Sequence, residues 1–523
     1  MLLLGRFESV KTGHALDRGC MQGTRQSILN GIVDWVASPQ EGNEVPQRNT
    51  YWFYGSPGIG KTSLAHSICE KLHDQKHLAG AFFCKRDDPK LSKPGNILPT
   101  LIYKLAGIFP PFRSNVAERL RSDPNLTPES MKPIVFLDFI RNLPRNPKRA
   151  LVFVIDALDE CGDDKSRPDV LRILTDAAAQ VQWLRIIITS RPEVDIQRFF
   201  DIPDTKKSHI RYDLATDDEA SSDLRTFAQD RFRWVALKQH LKSPWPEQSL
   251  FDGVISRAAG LFIFVKTIAL ALEHCEDPTA LLKATLQGPS GTGATSLYGL
   301  YSSILRARIE HSGDEFQRMV GVLLTTAPYR LLCEETIATL AGLEPRRVQI
   351  WVDDLSSLLY RDGGANGGIR FRHLSISDFF VDDACEYRVD LREAHVQLGI
   401  TCLETMVKQL RFNICKLEDS RLANADVHDL QCRIEQNISG ALQYSSLYWS
   451  NHLCFTPHDA NCDPQLPGGL REFFEGLYPL LWTEVLSIIG MVPIAAPSLR
   501  RVISYVKVSA CHEFAFRDDS DLL

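Results

Sequence analysis

Residues 51–72 read YWFYGSPGIGKTSLAHSICEKL. Four aromatic residues give way to Gly-Ser-Pro-Gly-Ile-Gly, then Lys-Thr, then a segment that reads as a helix. Glycines at such a junction let backbone amides close around an anion, and the helix N-terminus adds a favourable dipole. The pattern G-x-x-x-x-G-K-[ST] is met by Gly55, Gly60, Lys61 and Thr62. The expected phosphate cradle is therefore Gly55, Ser56, Pro57, Gly58, Ile59, Gly60, Lys61, Thr62 and Ser63. Lys61 is placed to reach the β- and γ-phosphates, and the Thr62 hydroxyl to ligate Mg2+.

Two further stretches end strands with chemistry-bearing residues. In LVFVIDALDE (151–160) an apolar run delivers Asp156 to its C-terminal end, where ligands sit in open parallel sheets. Asp156 is expected to hold Mg2+ directly or through water. Asp159 and Glu160 follow at a distance suited to positioning an attacking water, although acids there also suit the start of a helix. In LRIIITSRPE (184–193) Arg191 follows another buried run, as a reader of the γ-phosphate or as an ordinary surface arginine.

From about residue 50 to 200, short apolar runs without polar alternation (51–54, 81–84, 151–155, 185–189) alternate with helix-length segments. That texture predicts an α/β domain whose parallel sheet carries helices on both faces. Beyond about Asp213 the strand signal stops and helices follow. Two short helices and a Gly-rich hairpin over 336–380 have the order of a winged helix, and the rest is mostly helical. Five segments are expected: 1–47 as a flanking helix and linker, 48–203 as the nucleotide-binding domain, 204–320 as a helical lid, 321–390 as a winged helix, and 391–523 as a helical domain. Thr24 is the expected cap of the first helix, and Ser375 with Asp378 has capping-box spacing.

A formal net charge of −6 offers no general attraction to nucleic acid or anionic membrane. The apolar segments near 258–272 and 478–496 read as buried helices rather than membrane spans. Thirteen cysteines without a C-x-x-C pair, and no export signal, suggest reduced thiols in a cytoplasmic protein. His452, Cys454, His458 and Cys462 cluster without a recognised zinc spacing.

GSPGIGKT, DALDE and TSRPE together resemble the NACHT domain of STAND-class P-loop NTPases, in the nephrocystin-like form found in fungal NOD-like-receptor-type proteins. GTRQSILNGIVDW ahead of YWFYG resembles the family's entry into the domain, and LYSSIL and RHLSISDFF resemble its later landmarks. The resemblance implies an α/β P-loop domain followed by helical lid, winged-helix and all-helical C-terminal domains. It implies ATP and ADP with Mg2+ as ligands, slow hydrolysis, and self-association in the ATP state. It also implies that His373 contacts the β-phosphate of ADP and restrains the closed form. The chain departs from the family in AAGLFIF, where no proline follows Gly260, which leaves the lid contact open. It also reads as a switch core without effector or repeat segments.

Three other functions compete: a small-molecule kinase, a scaffold binding nucleotide structurally or not at all, and a nucleic-acid translocase. The acidic and sensor motifs and the long helical region argue against the first, and intact Lys61, Thr62, Asp156 and Glu160 against loss of binding. The charge, and the lack of a recognisable nucleic-acid module, argue against the third. ATP is favoured over GTP because no Asn-Lys-x-Asp pattern is present.

Overall fold

The computed structural model describes residues 19–38, 48–123, 133–141, 149–181, 183–202, 209–287, 294–309, 313–362, 367–383, 385–419, 421–455 and 465–508. The chain divides into two compact units, Met1–Ser303 and Ile304–Leu523.

In the first unit, helix α1 (Gln26–Ala37) precedes strand β1 (Thr50–Tyr54) and helix α2 (Lys61–Asp74). Strand β2 (Leu78–Phe83) leads into α3 (Ile97–Ile108), α4 (Pro110–Ser122) and α5 (Pro133–Arg141). Then come β3 (Leu151–Asp156), α6 (Ser166–Gln180), β4 (Leu184–Ser190), α7 (Val194–Asp201) and β5 (His209–Asp213). All five strands are parallel, in the order β2-β3-β4-β1-β5. Every residue of β3 and β4 is buried, as expected for strands covered on both faces. Phe153, Ile155, Ile186 and Ile188 pack there with Leu171 and Leu174 of α6. Trp52 stacks on Phe200 of α7 at 4.5 Å.

The strands match the sequence reading at β1, β3 and β4, while β2 begins earlier, at Leu78. The fifth strand lies beyond the 203 boundary read from the sequence. It is a sheet edge pairing only with β1, and after His209 its residues are half-buried, so its alternating charges hide it. Helices α8 (Ala220–Lys238), α9 (Gln248–Ala258), α10 (Phe262–Leu272) and α11 (Pro278–Gln287) follow, and α12 (Ala294–Arg306) runs across residue 303. Thr24 does not cap α1: its hydroxyl donates to the Met21 carbonyl, and Arg25 occupies the cap position with a left-handed backbone.

The second unit opens with α13 (Gly313–Thr326), α14 (Glu334–Ala341) and α15 (Pro345–Asp354). An antiparallel hairpin follows, β6 (Leu359–Arg361) against β7 (Ile369–Phe371), then α16 (Leu374–Val381). This is the helix–helix–hairpin order expected of a winged helix; residues 363–366 of the turn lie outside the described residues. The remainder is helical: α17 (Leu391–Gln409), α18 (Leu430–Asn437), α19 (Gly440–His452), α20 (Gln465–Glu475), α21 (Tyr478–Ile488) and α22 (Ala495–Val508). Trp449, Phe473 and Trp482 form part of its core, and the Trp482 indole donates to the Ser446 carbonyl at 2.8 Å.

Among the described residues, no helix is long and apolar enough to cross a membrane. Helix α21 is only partly the buried helix expected, because Leu480 is exposed while Trp482, Val485 and Leu486 are buried. His452 is fully buried and bonds His395 at 2.8 Å and the Tyr444 hydroxyl at 3.0 Å, whereas His458 and Cys462 lie outside the described residues.

Candidate nucleotide site

The strand order sets the site. β4 lies between β1, which leads into the Gly-rich loop, and β3, which ends at Asp156. Tyr54 is level with Ser190 across β1 and β4, so the residues after each strand emerge at the same edge. Three separate stretches of sequence are thereby gathered at the C-terminal end of one sheet, with the N-terminus of α2 beside them.

The loop is shaped by its glycines. Gly58 (φ 83°) and Gly60 (φ 99°) occupy the left-handed region, where a side chain adds strain. At Gly58 a Cβ would also lie 2.0 Å from Cγ2 of Ile263. Lys61 turns back over the loop, and its Nζ donates to the carbonyls of Gly55 at 2.7 Å and Ser56 at 2.9 Å. Burial lowers its pKa to about 8, against the pull of the Asp159 carboxylate.

The three acids have distinct surroundings. Asp156 is buried and accepts from the Thr189 hydroxyl at 2.5 Å and from that of Thr62. Burial raises its pKa to about 6, and these hydrogen bonds oppose the shift. Asp159 accepts the Arg191 backbone amide at 2.9 Å and faces its guanidinium Nε at 3.3 Å. Glu160 accepts the Arg86 backbone amide at 3.3 Å, and burial, reinforced by Asp159, raises its pKa to about 7. Asp159 and Glu160 sit in a short 3-10 turn (Leu158–Glu160), entered through Ala157 in a left-handed conformation (φ 53°). That turn separates them: Asp159 goes to Arg191 and Glu160 to the loop after β2.

The segment AAGLFIF, which holds no proline, reaches this loop. The Ile263 amide donates to the Gly58 carbonyl at 3.1 Å, and the Phe262 ring lies 3.9 Å from where a Gly60 Cβ would be. The first residues of α10 thus touch the Gly-rich loop itself. Thr189, Ile263 and Arg25 were not anticipated as site residues; Thr189 alone carried a signal, as a polar residue ending an apolar strand. His373 lies in the second unit, where its Nδ1 accepts the Ser375 amide at 3.1 Å and caps α16. Ser375, expected as a cap, is instead a buried residue inside that helix.

Gly-rich loop, lysine and strand-end aspartate form a P-loop nucleotide-binding fold. Residues 23–191 match the family model described as Nephrocystin 3, N-terminal. No curated protein matches the chain. Among solved structures it is similar to the Walker-type ATPase PABY2304 of Pyrococcus abyssi, at 13% identity over 68% of this chain and 95% of that one, with a TM-score of 0.33. It is also similar to the Aeropyrum pernix ORC1 protein in complex with DNA, at 12% identity over 70% and 94%, with a TM-score of 0.32. Likeness at this level assigns this chain no substrate or partner.

Proposed function

We propose that the chain, whose residues 23–191 match the family model described as Nephrocystin 3, N-terminal, is a nucleotide-operated signalling switch of the STAND type. ADP holds a closed form, exchange for ATP opens it, and the open form self-associates. Such a device needs only that the two nucleotides bind the two forms unequally. The observation carrying the reading is the Ile263–Gly58 hydrogen bond at 3.1 Å. It joins the first turn of α10 to the Gly-rich loop, which supports a coupling between phosphate binding and the lid.

In this reading Gly55 to Ser63 cradle the phosphates, Arg191 reads the γ-phosphate, and Glu160 serves slow hydrolysis. Asp159 acts first as the resting partner of Arg191. Thr62 and Asp156 offer two adjacent hard oxygen donors, which suit Mg2+, an ion that keeps most of its waters and takes one or two protein oxygens. Bound there, Mg2+ would neutralise phosphate charge. His373 restrains the closed form, and the segments 204–320, 321–390 and 391–523 serve as lid, winged helix and helical domain.

The test is to denature purified protein and identify released nucleotide by anion-exchange chromatography, then follow mass by light scattering with ADP or ATP. ADP in the supernatant, lost in Lys61→Ala, and a mass increase with ATP support the switch. No nucleotide and no binding of added ATP or ADP would favour a scaffold. Turnover of about 1 to 1,000 per second with a small acceptor would favour a kinase.

A further inference from the structure

Arg25 is buried, and four contacts converge on it. Its left-handed backbone (φ 56°, ψ 27°) directs its amide to Asp223 Oδ2 at 2.9 Å. Its guanidinium pairs with Asp217 through Nη1 and donates from Nη2 to the Ile59 carbonyl at 3.2 Å. The same group lies over the Phe262 ring, 5.5 Å from its centroid. Both side chains of the ion pair are 4% exposed, and the Tyr212 hydroxyl donates to the other Asp217 oxygen at 3.2 Å.

These contacts join three pieces of chain far apart in sequence. Ile59 belongs to the phosphate loop, Asp217 and Asp223 to the passage from β5 into α8, and Phe262 opens α10. A planar guanidinium presents its donors in a fixed fork while its face lies on a ring, so it holds a carboxylate, a carbonyl and a ring in one set geometry. The grip on Ile59 also has a stereochemical consequence. In a trans peptide the carbonyl and the following N–H point in opposite directions. Turning the Ile59 carbonyl toward Arg25 therefore turns the Gly60 amide away from it, as a phosphate-binding loop requires.

We propose that Arg25 is a positioning residue that clamps the start of the helical lid onto the phosphate loop, and that nucleotide leaves only when the clamp opens. The second half rests on the switch reading above; the first half does not.

The variants are Asp217→Asn, which removes the charge partner, and Arg25→Gly, which keeps the left-handed backbone and removes the fork. Asp217→Glu is the conservative control. Hydrogen–deuterium exchange of a peptide spanning residues 258–266, which contains the Ile263 amide, is measured on nucleotide-free protein. Release of a fluorescent ADP analogue is measured separately. Asp217→Asn and Arg25→Gly should each speed both by about tenfold, the scale of one charge-assisted hydrogen bond. The double variant should add little, and Asp217→Glu should recover part of the loss. Unchanged exchange in folded variants would overturn the clamp. So would exchange raised equally in β3 and β4 peptides, which signals general destabilisation. If the wild type binds no nucleotide, the switch reading fails while the exchange measurement still decides the clamp.

Discussion

Asp159 engages Arg191 twice, accepting its backbone amide at 2.9 Å and facing its guanidinium at 3.3 Å. Asp159 is almost fully buried, while the arginine is less so, with its side chain 17% exposed. If that guanidinium reads a phosphate, as proposed, the Asp159 carboxylate competes with the phosphate for its charge. The aspartate then sets how strongly the arginine favours the γ-phosphate. Asp159→Asn keeps an oxygen for the Arg191 amide but removes the competing charge. The ATP-over-ADP preference should rise by about tenfold in that variant, and Arg191→Ala should abolish the preference. Calorimetric titration with both nucleotides measures it. An unchanged ratio in both variants would remove Arg191 from phosphate reading.

Glu160 is the acid whose protonation state changes near neutrality, with its pKa raised to about 7 mainly by burial. A general base acts in its deprotonated form. Single-turnover ATP hydrolysis should therefore rise with pH and level off above about 7. Glu160→Gln should slow that step by about 100-fold or more while leaving ATP binding nearly unchanged. A pH-independent rate, or a variant as fast as the wild type, would mean that another group orders the water.

The same shift has a consequence for stability. An unfolded glutamate loses its proton near its ordinary value of 4.5, whereas the folded Glu160 keeps it to about 7. The folded chain thus binds more protons in between, and the stabilising contribution declines as pH rises through that window. His395 and His452, pushed down to about 4 and about 3 chiefly by burial, act in the opposite sense below about pH 6.5. Comparing Glu160→Gln with the wild type cancels their contribution. The two nucleotide-free proteins should unfold nearly alike at pH 4, and at pH 8 the variant should be more stable by about 1 to 3 kcal/mol. Denaturant midpoints at both pH values test this. A difference independent of pH would show that Glu160 ionises normally.

The sequence revealed the site where ligand chemistry dictates residue type, and missed it where distant chain supplies the partner. The glycines, Lys61, Asp156 and the fully buried strands β3 and β4 were legible because phosphate binding and double-sided burial restrict composition locally. β5 was not, because HIRYD is an edge strand whose polar residues need no burial. Nor was the division of labour between Asp159 and Glu160, adjacent acids that a single short turn aims at different partners. Arg25 left no trace beyond standing before a helix, since Asp217 and Asp223 lie 192 and 198 residues further on. The contact of α10 with the Gly-rich loop through Ile263 was hidden for a related reason: a backbone amide donates it, and almost any residue supplies one.

His373 has a local duty that must be separated from any part in switching. Its Nδ1 accepts the Ser375 amide at 3.1 Å, so it does for α16 what a serine or asparagine does at other helix starts. A ring nitrogen that accepts from an amide carries no proton, which leaves Nε2 as the protonated position of a neutral ring. His373→Ala loses both the cap and the ring, and should cost about 1 kcal/mol of stability. His373→Asn keeps an oxygen able to cap from the same extended backbone (φ −152°, ψ 145°) and loses only the imidazole. If the imidazole restrains the closed form, both variants release ADP faster than the wild type, and only alanine lowers the unfolding midpoint. Stopped-flow release of a fluorescent ADP analogue and thermal unfolding separate the two effects. Wild-type release from His373→Asn would leave His373 as a helix cap with no part in the switch.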